Sequence, residues 1–193
     1  MEQLDWNRLA LIAALSGEIA EKKKTEFGRT ALMKLLYILQ EIRGLSLEYD
    51  FSLYAYGPFD SAVLSDLSYA ETLGLVTERS VRYPTSLGYD IKPVEAPPGL
   101  ATKGKNFVQR HLQDIRWTVE HFGGRGAGEL ELISTIIYAD REKLDDGERC
   151  TVADLAKLVR SIKPHFTVSQ IETKANELLD LEVLKATDRQ MRG

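Results

Sequence analysis

Apolar positions recur at helical spacing over residues 4–22, through Leu9, Ile12, Leu15 and Ile19 with Ala13 between them, and Asp5 stands where an N-cap belongs. Lys22-Lys23-Lys24 would close that helix with positive charge near the negative end of its dipole. A second apolar stripe, Leu32, Leu35, Leu36, Leu39 and Ile42, predicts a helix from about 30 to 43, ended by Gly44. The period then switches. Tyr49, Phe51, Leu53 and Ala55 alternate with Asp50, Ser52 and Tyr54, which predicts a strand over about 48–55. Gly57-Pro58 is expected to end it, because proline lacks the amide hydrogen that a ladder requires.

Asp60 or Ser61 can cap the next helix, which carries Val63, Leu64, Leu67, Ala70 and Leu73 and ends in a Gly74-Leu75 Schellman pattern. Residues 76–83 and 89–94 read as a β-hairpin, and Pro93 with Pro97-Pro98-Gly99 marks a linker or a change of direction. Beyond it, Val108, Leu112, Ile115, Val119 and Phe122 predict one amphipathic helix, interrupted by the glycine-rich run 123–128. A further helix is expected over about 129–141. Thr151-Val-Ala-Asp154 and a capping box at Ser169-Gln-Ile-Glu172 announce two more, separated by Pro164.

Helix, helix, strand, helix and hairpin is the element order of a winged helix, a three-helix core with a β-wing. Ala101-Thr102-Lys103-Gly104, directly after the wing, is similar to the Leu-Thr-x-x-Gly pattern of many winged-helix regulators. The expected fold is α+β and mostly helical, with a winged-helix-like region over 1–98 and a helical extension over 99–193, the two halves forming separate units or one compact domain.

Gly28-Arg29-Thr30-Ala31-Leu32-Met33-Lys34-Leu35-Leu36-Tyr37 and Tyr54-Ala55-Tyr56-Gly57-Pro58-Phe59-Asp60-Ser61 together resemble the Panacea (SocA-like) antitoxin domain and the related YwgA-like bacterial proteins. Those families pair a Lys-Leu-Leu-Tyr helix with a Gly-Pro turn before the next helix. The likeness continues through Asp66-Leu67 and Leu73-Gly74-Leu75-Val76, and extends to the helical run Leu130–Tyr138. It implies a small helical interaction domain of bacterial or phage origin. Panacea domains neutralise toxic protein partners. The YwgA-like branch, whose spelling of Tyr-Gly-Pro-Phe and Gly-Arg-Thr is nearer to this chain's, has no assigned activity.

Composition narrows the functional classes. The chain of 193 residues is 44% hydrophobic and 28% charged, so it can bury a core without staples. A net charge of −4 predicts no general attraction to nucleic acid or anionic membrane. The apolar run Leu9–Leu15 is too short to span a bilayer. A single cysteine, Cys150, and a start without a basic, apolar leader predict a cytoplasmic protein.

Catalytic and metal signatures are sparse. His111, His121 and His165 are dispersed, no His-x-x-x-His or Cys-x-x-Cys pair is present, and the glycine-rich run lacks the Gly-Lys-Ser/Thr of a phosphate loop. Asp140, Glu142, Asp145, Asp146 and Glu148 lack calcium-loop spacing and read as a solvated turn. No catalytic residue, metal or cofactor is expected.

Aromatics and arginine most often anchor protein interfaces. The expected partner-binding patch is therefore Arg29, Lys34, Tyr54, Tyr56, Gly57, Pro58 and Phe59, facing a protein partner such as a toxin. Arg29 could instead pair with Asp66. The competing expectation is a transcriptional regulator that touches DNA phosphates through Arg79, Arg82, Lys103 and Lys105. Residues 60–73 disfavour it, since they carry Asp60, Asp66 and Glu71 without a cation.

Overall fold

The computed structural model describes residues 5–22, 27–82 and 87–189. Among them the chain is α+β and mostly helical, with eight helices and three two-stranded sheets. It divides into two compact units. One comprises Met1–Phe51 and Phe59–Ala127, the other Ser52–Pro58 and Gly128–Gly193.

In the first unit, α1 (Trp6–Glu21) starts where Asp5 accepts the Asn7 and Arg8 amides, as its sequence indicated. The lysines at 23 and 24 lie outside the described residues. Helix α2 (Arg29–Glu41) is apolar nearly all round. Every residue from Leu32 to Leu39 is buried, which is the burial of a central core helix rather than of a half-exposed one. Gly28 opens it. A Cβ there would stand 2.7 Å from the Tyr89 carbonyl oxygen, so the close approach of backbone needs glycine.

After Gly44, Leu45, Leu47 and Tyr49 point inward on alternate residues, yet no ladder forms along them. Glu48 has φ of 56°, a left-handed conformation that breaks extended pairing. The strand expected over 48–55 is therefore only β1 (Ser52–Tyr54), and Gly57-Pro58 does not end it. Instead β2 (Gly57–Phe59) folds back onto β1 across the two-residue turn Ala55-Tyr56. Pro58 contributes no amide hydrogen to the β1–β2 ladder, which stays at three residues a side.

Asp60 closes this excursion at its base. One carboxylate oxygen accepts the Asp50 amide at 2.7 Å, and the other caps α3 (Ser61–Thr72) through the Ala62 amide at 2.8 Å. Helix α3 ends in the expected Schellman motif. Gly74 takes φ of 70°, its amide bonds to Glu71, and the Leu75 amide bonds to Ala70.

Strands β3 (Val76–Arg82) and β4 (Leu87–Pro93) form the expected antiparallel hairpin, with Val76 opposite Pro93 and Arg82 opposite Leu87. Its connecting residues 83–86 lie outside the described set. Ile91 and Asp90 tie β4 to the chain before α2, since the Ile91 amide donates to the Phe27 carbonyl and Asp90 accepts the Phe27 amide. Among the described residues β1 pairs only with β2, and the β3–β4 sheet is two-stranded.

The amphipathic run from Val108 to Phe122 is two helices, α4 (Lys105–Arg110) and α5 (Leu112–Phe122), broken at His111. Its apolar spacing survives the break, which is why one helix was expected. Helix α1 packs against α3, β4, α4 and α5, and α2 packs against α5.

The longer segment of the second unit opens within α6 (Ala127–Asp145), a helix longer at both ends than the sequence suggested. Strand β5 (Cys150–Thr151) leads into α7 (Val152–Ile162), capped by Thr151. Helix α8 (Val168–Asp180) packs on α7. Its capping box is Thr167 with Gln170, not Ser169 with Glu172. Both spellings fit the pattern, but Thr167 is the residue with extended backbone. Strand β6 (Thr187–Asp188) pairs in parallel with β5. Asp140 fastens it, accepting the Lys185 and Ala186 amides and the Thr187 hydroxyl.

Candidate functional site

The second unit contains a seven-residue piece from far upstream, Ser52–Pro58, and the Tyr-Gly-Pro motif lies on it. Three of the contacts that hold that piece bear on the motif. Gly57 adopts φ of 86°, and a Cβ on it would stand 3.1 Å from Ser134 Oγ and 3.2 Å from Thr135 Oγ1 on α6. Glycine is required twice over, for its backbone angle and for the closeness of the helix. The Leu53 backbone lies against the Tyr138 phenol, whose pKa is raised chiefly by burial and next by the charge of Glu142.

The third contact is Lys163, in the turn after α7 and only 3% exposed. Its ammonium donates to the Tyr54 carbonyl at 3.1 Å and to the Ala55 carbonyl. Glu131 Oε1 lies 3.1 Å from the same nitrogen, an ion pair without hydrogen-bond geometry. His165 Nε2 approaches that oxygen from the solvent side at 3.5 Å. A buried cation is costly unless paired and hydrogen-bonded, and the two carbonyls and the carboxylate meet that requirement together.

With its carbonyls turned to Lys163, the tip presents its aromatic side chains outward. Tyr54 is 68% and Tyr56 73% exposed, the two most exposed large hydrophobic residues among those described. Gly57 and Pro58 are buried beneath them, and Phe59 is half-buried.

The other members of the expected patch belong to the first unit. Lys34 is 2% exposed on the core helix α2. Arg29 does not pair with Asp66. It forms a two-pronged ion pair with Glu78, both contacts at 2.6 Å, and stacks on the Tyr89 ring at 3.7 Å. That carboxylate raises the guanidinium pKa further. Asp66 is instead held by Arg8 and Tyr49.

Of the four cations expected at DNA, Arg79 and Arg82 are exposed on β3, and Lys103 and Lys105 are exposed around the start of α4, Lys103 lying over the Trp6 ring. The carboxylates counted against DNA are not all on the surface. Asp66 is buried and Asp60 is spent on capping, which leaves Glu71 exposed on α3.

Lys163 and Glu131 were missed by sequence reasoning. The available signal was a carboxylate inside the apolar run Leu130-Glu131-Leu132-Ile133, a position that helical packing turns inward. Cys150 is buried with its sulfur 3.4 Å from Thr187 Oγ1. Among the described residues no group of three or more His, Cys, Asp or Glu side chains converges in a way that could hold a metal ion, and no helix is long and apolar enough to cross a membrane.

The arrangement can present two phenols on a fixed loop. No model of a known family matches the chain, and no curated protein is similar to it at a significant level.

Proposed function

We propose that the protein is a non-catalytic interaction module that docks a protein partner through the Tyr54–Tyr56 tip, in the manner of an antitoxin or a defence-associated factor. The observation that carries this reading is the pairing of two exposed tyrosines with a loop anchored beneath them by Gly57 and Lys163. Tyrosine brings large contact area at low entropic cost, and a fixed loop lowers that cost again. The resemblance of the Gly-Pro motif pair to Panacea and YwgA-like proteins supports the same class. Such a factor would act in the cytoplasm and without a cofactor.

The test is co-purification from a native host, followed by titration of the recovered protein. Tyr54→Ala/Tyr56→Ala should weaken that complex by about a hundredfold or more while remaining folded, the effect of losing two interface anchors. Full retention of the partner by the double variant overturns the reading.

A second reading, a winged-helix-like regulator, draws on the four exposed cations at and after the β3–β4 hairpin. It predicts a complex with genomic DNA fragments whose affinity falls steeply with salt, and a smaller salt slope for Arg79→Ala/Arg82→Ala. Gel shifts without a salt-sensitive complex dismiss it.

A further inference from the structure

The buried cation under the tyrosine tip has a more specific role than charge balance. We infer that Lys163 is the positioning residue of the docking loop, holding the Ala55-Tyr56 turn in one conformation so that Tyr54 and Tyr56 are presented together. This rests on the docking reading above.

The geometry distinguishes positioning from ordinary core packing. An ammonium has three donors and no acceptor. Two of these donors go to successive carbonyls of the loop, those of Tyr54 and Ala55. Turning both carbonyls inward fixes the peptide planes on either side of Ala55. The side chains at 54 and 56 are thereby directed away from the protein. On the far side of the turn, Gly57 passes so close to α6 that even a Cβ there would meet the Ser134 and Thr135 hydroxyls at 3.1 and 3.2 Å. The loop is thus fixed at both ends, by hydrogen bonds before the turn and by close packing after it.

Glu131 has a separate part. Its carboxylate lies within ion-pair distance of Lys163 but outside hydrogen-bond geometry, so it compensates the charge without competing for the donors that the loop uses. Lys163→Met alone would strand the buried Glu131 carboxylate and could unfold the unit. Lys163→Met/Glu131→Leu removes both charges and is the informative variant.

Hydrogen exchange of the full-length chain measures the effect without any partner. In the double variant, amides of residues 52–59 should exchange at least about tenfold faster, as expected for losing two hydrogen bonds from a charged donor. Amides of α7 and α8 should keep their protection. Unchanged exchange over 52–59 overturns the proposal, whatever the partner does. Equal acceleration in all three segments overturns it as well, since Lys163 would then serve the unit as a whole. The docking reading fails separately, when Tyr54→Ala/Tyr56→Ala retains the partner even though the loop exchange responds to Lys163 as expected.

Discussion

Tyr49 donates its phenolic hydroxyl to Asp66 at 2.8 Å inside the first unit, where Arg8 closes on the same carboxylate oxygen at 2.9 Å and lies over the Tyr49 ring. Burial, and next the negative charge of Asp66, hold the phenol well above its ordinary range. The proton therefore stays on Tyr49 in the folded protein, while the unfolded chain releases it near pH 10. A raised folded pKa means that the contribution is complete below the unfolded value and declines as pH rises above it. Tyr49→Phe should lower stability at neutral pH by about 1–2 kcal/mol. Above about pH 10 its stability should also fall less steeply than that of the parent chain. Urea titrations at pH 7, 9 and 10.5 check both.

Asp66 carries the complementary expectation at the acid end. Desolvation raises its pKa, outweighing the Tyr49 hydrogen bond and the Arg8 charge that lower it. The folded state thus binds this proton more tightly than the unfolded chain. The site favours folding most below the ordinary carboxylate value near pH 3.9, and that contribution is lost as pH rises through the raised value. Asp66→Asn should therefore compare least well with the parent chain at low pH and improve relative to it on going toward neutrality. Paired denaturation curves at pH 3.5 and pH 6 give the sign.

Gly57 and Gly44 form a matched pair. Both adopt left-handed backbone, at 86° and 69°, but a Cβ on Gly44 meets open space while one on Gly57 meets two hydroxyls of α6. Gly44→Ala should cost about 1 kcal/mol, the backbone term alone. Gly57→Ala adds the collision and should cost about 2–3 kcal/mol. Equal losses in thermal melts would show that Ser134 and Thr135 yield freely.

Asp140 is wholly buried and gathers two amides, a hydroxyl and the Arg141 guanidinium. Asp140→Ala leaves those donors unmatched and should cost about 3–5 kcal/mol, with β6 detaching first. Faster exchange at the Lys185 and Ala186 amides than in α7 is the expected signature.

The capping box offers a surface test. Thr167→Ala should destabilise by about 1 kcal/mol, whereas Ser169→Ala, two residues further in and exposed, should change stability by less than about 0.5 kcal/mol.

The helices were legible because their signals are local. Asp5, Asp60 and Thr151 cap where their side chains indicate, and Gly74-Leu75 closes α3 by a rule confined to six residues. The hairpin at 76–93 was legible from its apolar runs and turn residues. Gly57-Pro58 misled, because a glycine-proline pair breaks a strand and opens a returning one with the same two letters. The pairing of Arg29 with Glu78 rather than Asp66 was hidden because the two carboxylates are equally plausible by charge, and only folding brings one of them within reach. The Lys163–Glu131 pair joins residues whose closeness depends on the whole second unit. No local pattern reports it.

The excursion that Asp60 pins at its base alters what a fragment of this protein can be. Because Ser52–Pro58 belongs with Gly128–Gly193, the chain passes between its two units after residues 51, 58 and 127 rather than once. A polypeptide starting at Gly128 would lack a structural part of its own fold, leaving Lys163 without the two carbonyls it serves and Ser134 and Thr135 facing the space of Gly57. A short peptide spelling residues 51–59 is the natural complement to such a fragment, and binding of the two on mixing is the outcome this arrangement leads one to expect.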